Sequence, residues 1–207
     1  MARPKLDAAP VATTERLLGA AEAEFAAHGF EGARLSDIAA RVGISRPSLL
    51  YHYASKHVLY AAVVRTALLR LGAALALELD GQDAFELRLG RAVDGFVEFV
   101  EERPSLAKLL LREFLDDRGP GHDIVVGAGV PVLEQLERFL REQGAGRVRP
   151  ELPLREALLA IVCSVLMRTS SGPLRLPLWG PTEDTRALAL ALFLQAAPAA
   201  EGLERRS

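Results

Sequence analysis

Alanine and leucine recur at helical spacing through almost the whole chain, and β-branched residues are sparse. That pattern leaves little room for a sheet. Glycine and proline cut it into pieces, so the sequence predicts an all-α fold of about nine helices, over 13–28, 35–42, 45–53, 55–79, 83–103, 105–116, 123–143, 153–169 and 182–197. The cuts have local causes. Gly29 can take the positive φ that ends the first helix, and Gly43 breaks the second. Pro47 stands in the first turn of the third, where its missing N–H costs nothing. Residues 1–12, with Pro4 and Pro10 and no periodicity, read as a flexible arm, and 201–207 as a tail. The stretches 116–122, 144–150 and the Pro/Gly-rich 170–181 read as connections.

The chain has 207 residues, a formal net charge of −2 and one cysteine, Cys163. A lone thiol allows no disulfide within the chain and suits a reducing compartment. With no apolar leader and no uninterrupted apolar run of membrane-spanning length, the expectation is a cytoplasmic protein with no membrane partner. The near-neutral total conceals an uneven distribution. No acidic residue stands between Asp37 and Glu78, whereas Arg41, Arg46, Lys56, Arg65 and Arg70 do, with His52 and His57. Such a local positive field attracts a phosphate backbone.

Signs of enzymatic chemistry are missing. Cys163 sits in an apolar stripe, His52 and His57 are five apart and not four, and there is no phosphate-binding loop and no dinucleotide fingerprint. No catalytic residue, metal ligand or cofactor is expected.

Inside the basic window, Gly43-Ile44-Ser45 joins two short helices. Gly43 permits a sharp turn and Ile44 plugs the angle between them, which makes a helix-turn-helix. On a helical wheel, Leu49, Leu50 and Tyr53 fall on one side of the third helix and Pro47, Ser48, Tyr51 and His52 on the other. The first side is core. The second carries hydrogen-bonding groups on a helix narrow enough for the major groove. Lys56 begins the next helix, where its charge and the free N–H groups can share one phosphate. The run Gly29-Phe30, Leu35 through Tyr53, Ser55-Lys56 and Leu59 resembles the DNA-binding domain of the Tet-repressor family, over roughly residues 13–60.

That resemblance implies a DNA-binding domain at 13–60 and an effector-binding and dimerisation domain at 61–200. It also implies that Arg46, Pro47, Ser48, Tyr51, His52 and Lys56 meet bases or phosphates, with Ser36 and Ser45 capping first and reaching DNA second. Two positions depart from the family pattern. Leu50 replaces a frequent tyrosine, leaving Tyr51 to serve. Arg34 replaces a capping Ser or Thr, so the cap of the second helix is lost or passes to Ser36, and Arg34 becomes a further phosphate contact.

Further along, bulky apolar residues on facing stripes read either as a packed bundle core or as a cavity wall. They are Phe96, Phe99, Val100, Leu110, Phe114, Leu136, Phe139, Cys163 and Met167, with Trp179 at a cavity mouth or a dimer edge. The resemblance favours the wall, with Arg112, Glu113 and Arg168 as polar anchors. The last helix is apolar nearly all round and must be covered. The resemblance implies a homodimer through the last two long helices, with Leu158, Ile161, Val165, Leu188, Leu190, Phe193 and Leu194 at the interface. The expected function is a repressor that binds a pseudo-palindromic operator and is released by a small apolar or amphipathic effector. A constitutive regulator or an activator without a ligand is the alternative.

Overall fold

The computed structural model describes residues 10–116, 119–180 and 184–195, with side chains from Thr13 onward. The expected segments 1–9 and 201–207 lie outside the described residues. Positions 10–12, read as arm, open the first helix instead. Helix α1 runs Pro10–Gly32 but is two pieces, because Gly29 has φ 71° inside it. A side chain there would meet both a strained backbone and Arg112, whose Nη1 would be 2.5 Å from its Cβ. Then come α2 (Leu35–Val42), α3 (Arg46–His52) and α4 (Lys56–Leu79). Leu17, Ala21 and Phe25 of α1, Ile38, Ala39 and Val42 of α2, and Leu49 of α3 close a small core over the start of α4 at Leu59 and Val63.

The body is α5 (Phe85–Glu101), α6 (Pro104–Leu115), α7 (His122–Gln143), α8 (Leu154–Ser170), α9 (Arg175–Trp179) and α10 (Thr185–Phe193). Helix α4 packs on α1 at one end and on α5 and α7 along its length, so it belongs to both parts. It has the length and apolarity of a membrane-spanning helix, which the sequence reading did not expect. Its inward residues, from Leu59 to Leu79, are buried by those neighbours.

Three elements differ from expectation. Asp83 does not open α5. It pairs with Arg91 at 2.8 Å, and the helix begins two residues later. Over its described part, 170–180, the expected connection is not irregular, because Pro173 is accommodated in the first turn of a short 3-10 segment, Gly172–Leu174, that runs into α9. The chain turns by 113° there after α8. Finally, the last helix ends at Phe193, where Val148 and Leu194 form an antiparallel bridge. Arg149 N–H donates to the Phe193 carbonyl (2.9 Å) and Gln195 N–H to that of Arg147 (2.8 Å).

Charged groups fasten the body as well. Glu137 on α7 is buried and accepts from Arg155 of α8 and from Arg141 at 2.9 Å. The bond from Arg155 leads in holding the carboxyl below its ordinary value of 4.5. A depressed folded-state value means the pair stabilises the fold above pH 4.5 and that this contribution disappears as pH falls through the lower value. Glu137→Gln should therefore lower the melting temperature by a few degrees at pH 7. That deficit should shrink progressively below pH 4.5, as measured by circular dichroism melts across pH.

Candidate nucleic-acid interface and body cavity

The turn between α2 and α3 is built as the sequence implies. Gly43 sits at φ 75°, ψ 28°, and its N–H reaches the carbonyls of Ala39 and Ala40. Ile44 N–H donates to the Ala39 carbonyl at 3.0 Å, and the side chain packs half-buried on the core. The Ser45 hydroxyl caps α3 by accepting from Ser48 N–H at 3.2 Å, and the two hydroxyls lie 3.0 Å apart. Leu49 is fully buried and anchors α3, which leaves Arg46, Pro47, Ser48, Tyr51 and His52 outward. Tyr51 is 89% exposed, and its ring meets His52 edge to face. The Tyr51 ring thus takes no part in the core and presents its hydroxyl and its face to the surroundings of α3.

Other members of the expected set are placed as follows. Arg34 precedes α2 and gives it no side-chain cap, and Ser36 does not replace it, since its hydroxyl donates to Asp37 at 3.2 Å. Ser55 caps α4 at Val58 N–H. Lys56 is half-buried, lies 4.8 Å from the centre of the Phe30 ring and donates to the Glu31 carbonyl at 3.0 Å. It is therefore fixed in place at the start of α4 and is not a freely swinging charge.

Within the basic window, Arg41 is drawn to buried Glu24 (3.3 Å) and Arg70 to Glu15 (2.9 Å). Sequence reasoning missed both, because the acids lie upstream on α1. Among the described residues Arg34, Arg46 and Arg65 form no ion pair, and all three are exposed. Uncompensated positive charge therefore stands at the starts of α2 (Arg34) and α3 (Arg46) and, further along, on α4 (Arg65). A further brace, from Arg16 Nη2 to the Val42 carbonyl (3.2 Å), fixes the end of α2 to α1.

The body encloses a cavity of about 270 Å³ among α4, α5, α6, α7, α8 and α10. Phe96, Phe99, Val100, Leu110, Phe114 and Leu136 line it. Four residues assigned to it from sequence do not. Phe139 is turned to the far end of α7, where it stacks on Phe85 at 5.1 Å. Cys163 and Met167 lie on the other side of α8, with Met167 52% exposed, and Trp179 is on α9. The anchors named from sequence are also elsewhere. Buried Glu113 accepts from Tyr60 and from Gly121 N–H, and Arg168 holds Thr185 at 2.7 Å and Glu101 at 3.0 Å. Sequence reasoning missed the wall supplied by Val126, Gly129 and Val130 of α7 and by Ala92 and Val93 of α5. The apolar and small residues at 125–130 were its only signal.

Four residues expected at a subunit interface are buried within the chain itself. Leu158, Ile161 and Phe193 face the cavity, and Val165 is wholly enclosed. Leu190 and Leu194 are half-buried, Leu194 in the bridge to Val148, and only Leu188 is exposed. The outward apolar face of this region is instead Met167, Leu174, Leu176, Leu178 and Leu188, each 52–67% exposed.

Comparison with known proteins agrees with this architecture. Residues 17–63 match the model of the bacterial regulatory proteins, tetR family. An HTH-type transcriptional repressor of Streptomyces coelicolor is 30% identical over 107 residues, 52% of each chain. The HTH-type transcriptional regulator RutR of Escherichia coli is 44% identical over 57 residues, 28% of this chain and 27% of that one. The chain thus spans about half or less of the length of these curated relatives. A TetR-like transcriptional regulator from Rhodococcus sp. RHA1 superposes with a TM-score of 0.67 at 25% identity, over 91% of this chain and 96% of that one.

Gly43 gives a direct check on the turn. Nothing lies within 4 Å of the Cβ that a substitution would add, so any cost comes from the backbone alone. Gly43→Ala should destabilise the protein by about 1–2 kcal/mol in urea unfolding. Gly43→Asn should cost less, because asparagine enters the left-handed region more readily.

Proposed function

We propose that the chain, whose residues 17–63 match the bacterial regulatory proteins of the tetR family and whose helical fold is TetR-like, is a DNA-binding transcriptional regulator, acting as a homodimer that represses until a small apolar or amphipathic effector enters the body. The observation that carries the DNA reading is the outward face of α3. Leu49 holds the helix down while Arg46, Tyr51 and His52 project from it, beside the uncompensated charge of Arg34. Arg46, Pro47 and Ser48 stand at the helix start, where base edges are met. Arg34, Ser36, Ser45 and the fixed Lys56 flank them toward the phosphates. The repressor sense follows the Streptomyces coelicolor relative, an HTH-type transcriptional repressor.

The apolar face on Met167, Leu174, Leu176, Leu178 and Leu188 supports the dimer. Five exposed apolar side chains on neighbouring segments at this end of the chain are what a second copy would cover by two-fold symmetry. Two heads related in this way read half-sites about one DNA turn apart, roughly 34–36 Å. Effector binding lowers DNA affinity by favouring a wrongly spaced pair of heads, with a coupling of about 1–3 kcal/mol. Helix α4, shared by head and body, transmits the change. A residue division near 60 separates the two roles.

Selection of duplexes from a random pool by the purified protein should return an inverted repeat. On a selected duplex, Arg34→Ala should flatten the log–log salt dependence by about 0.9, the loss of one phosphate contact. Tyr51→Ala should weaken binding at least tenfold with an unchanged circular dichroism spectrum, since the ring contributes nothing to the core. An unselected pool and an unchanged slope would sink the reading. Sedimentation should show a dimer that Leu188→Glu combined with Leu176→Glu converts to monomer, with loss of DNA affinity. A monomeric wild type would remove the spacing argument.

A further inference from the structure

The wall of the body cavity bears on the chemistry of what can occupy it. Every lining residue is hydrocarbon or glycine, from Leu68 and Leu71 on α4 to Phe193 on α10. All of them stand within helices, whose interior N–H and C=O groups are bonded to one another; at the helix ends, Leu106 N–H donates to Glu22, Ala107 N–H to the Arg103 carbonyl, and the Phe193 carbonyl accepts from Arg149 N–H. The charged side chains buried in the body are engaged away from the cavity. Glu113 is held by Tyr60 and Gly121, Arg168 by Thr185 and Glu101, and Arg88 by the carbonyls of Leu79 and Gly81. Arg103 lies 4.2 Å from the centre of the Phe99 ring, but it is not part of the wall, and its guanidinium donates to the Phe99 carbonyl at 3.1 Å.

We infer that this cavity takes an uncharged hydrocarbon-like ligand and excludes one that would bring a carboxylate, phosphate or ammonium inside. The inference rests on the effector reading above and narrows it from apolar or amphipathic to apolar and neutral. An ion placed here would surrender its hydration to a surface offering no hydrogen bond and no countercharge. Size narrows the class further. A dry apolar cavity of about 150 Å³ accepts benzene. At about 270 Å³ this one has room for a compact ligand of roughly two fused rings or a short branched chain. The wall reaches the surface at Phe114 and Val126, each half exposed, so entry lies between α6 and α7.

A shape-matched pair separates charge from size: 1-methylnaphthalene and 1-naphthoate, in equilibrium dialysis against the full chain at pH 7. The expected result is retention of 1-methylnaphthalene and at least tenfold weaker retention of 1-naphthoate. A Cβ added at Gly129 would rest in ordinary contact, 3.9 Å from Val125 and 4.0 Å from Leu68, so Gly129→Leu fills the cavity. It should reduce methylnaphthalene retention at least tenfold. Val126→Trp, at the half-exposed rim, should do the same without disturbing the buried core. Equal or tighter retention of naphthoate, lost in both variants, overturns the inference, as does retention of neither compound. If methylnaphthalene is retained through the cavity but leaves affinity for a selected duplex unchanged, the neutral-ligand assignment stands and the effector reading fails.

Discussion

Tyr60 is the point at which head and body become one object. Its ring lies edge-on to Phe25 (4.9 Å between centroids) and to Phe30 (5.3 Å), both from the head, and its hydroxyl donates to Glu113 on α6. Burial, reinforced by the bond to Glu113 and by its charge, pushes the phenol far above its ordinary value, so it remains a donor at any physiological pH. The other carboxylate oxygen accepts from Gly121 N–H at 2.9 Å, just ahead of α7. A carboxylate this deep needs its donors, and one phenol with one backbone amide supply them. The approach is close enough that a Cβ at Gly121 would lie 2.9 Å from both Glu113 and Tyr60. Helix α4 is thus keyed to α6 and to the beginning of α7, and the attitude of the head depends on that key.

The head uses its acids economically. Buried Glu24 takes both His28 (3.0 Å) and Arg41 (3.3 Å), tying α1 to α2 and removing a cation that would otherwise repel its neighbours. Two of the arginines left unpaired, Arg34 and Arg46, stand at the starts of α2 and α3, the second beside the hydroxyls of Ser45 and Ser48. The window without acids marks this region in the sequence, but the charge that survives there is set by partners upstream on α1, Glu24 for Arg41 and Glu15 for Arg70. A field built in this way steers an anionic polymer without requiring a basic protein overall.

The parts of the molecule legible in the sequence were those fixed by short-range chemistry. Gly43-Ile44-Ser45, the Ser45 and Ser55 caps and the buried Leu49 follow from residue type and a spacing of three or four. Which sides of α8 are buried within the chain did not follow, because α8 is apolar on several sides and periodicity cannot choose between them. Leu158, Ile161 and Val165 face inward, while Met167, on the same helix, faces out. For the same reason Phe139 was assigned to the cavity. Its place was decided by Phe85, fifty-four positions earlier, with which it stacks. The place of Lys56 at the start of α4 is legible in the sequence, but its contacts with the Glu31 carbonyl and the Phe30 ring are not, since nothing local reveals that the chain brings them beneath it.

The bridge between Val148 and Leu194 bears on how the molecule comes apart. Helix α10 is nine residues long, too short to persist alone in water. It also closes one end of the cavity through Phe193. The bridge, with Arg149 gripping the carbonyls of Ala191 and Leu194, turns what would be a fraying end into a closed loop anchored at the α7–α8 junction. Tension transmitted along α10 must therefore unclasp that junction before it can peel the helix from α5 and α8. The wall of the cavity is thereby protected by a mechanical fuse several helices removed from the DNA-reading surface.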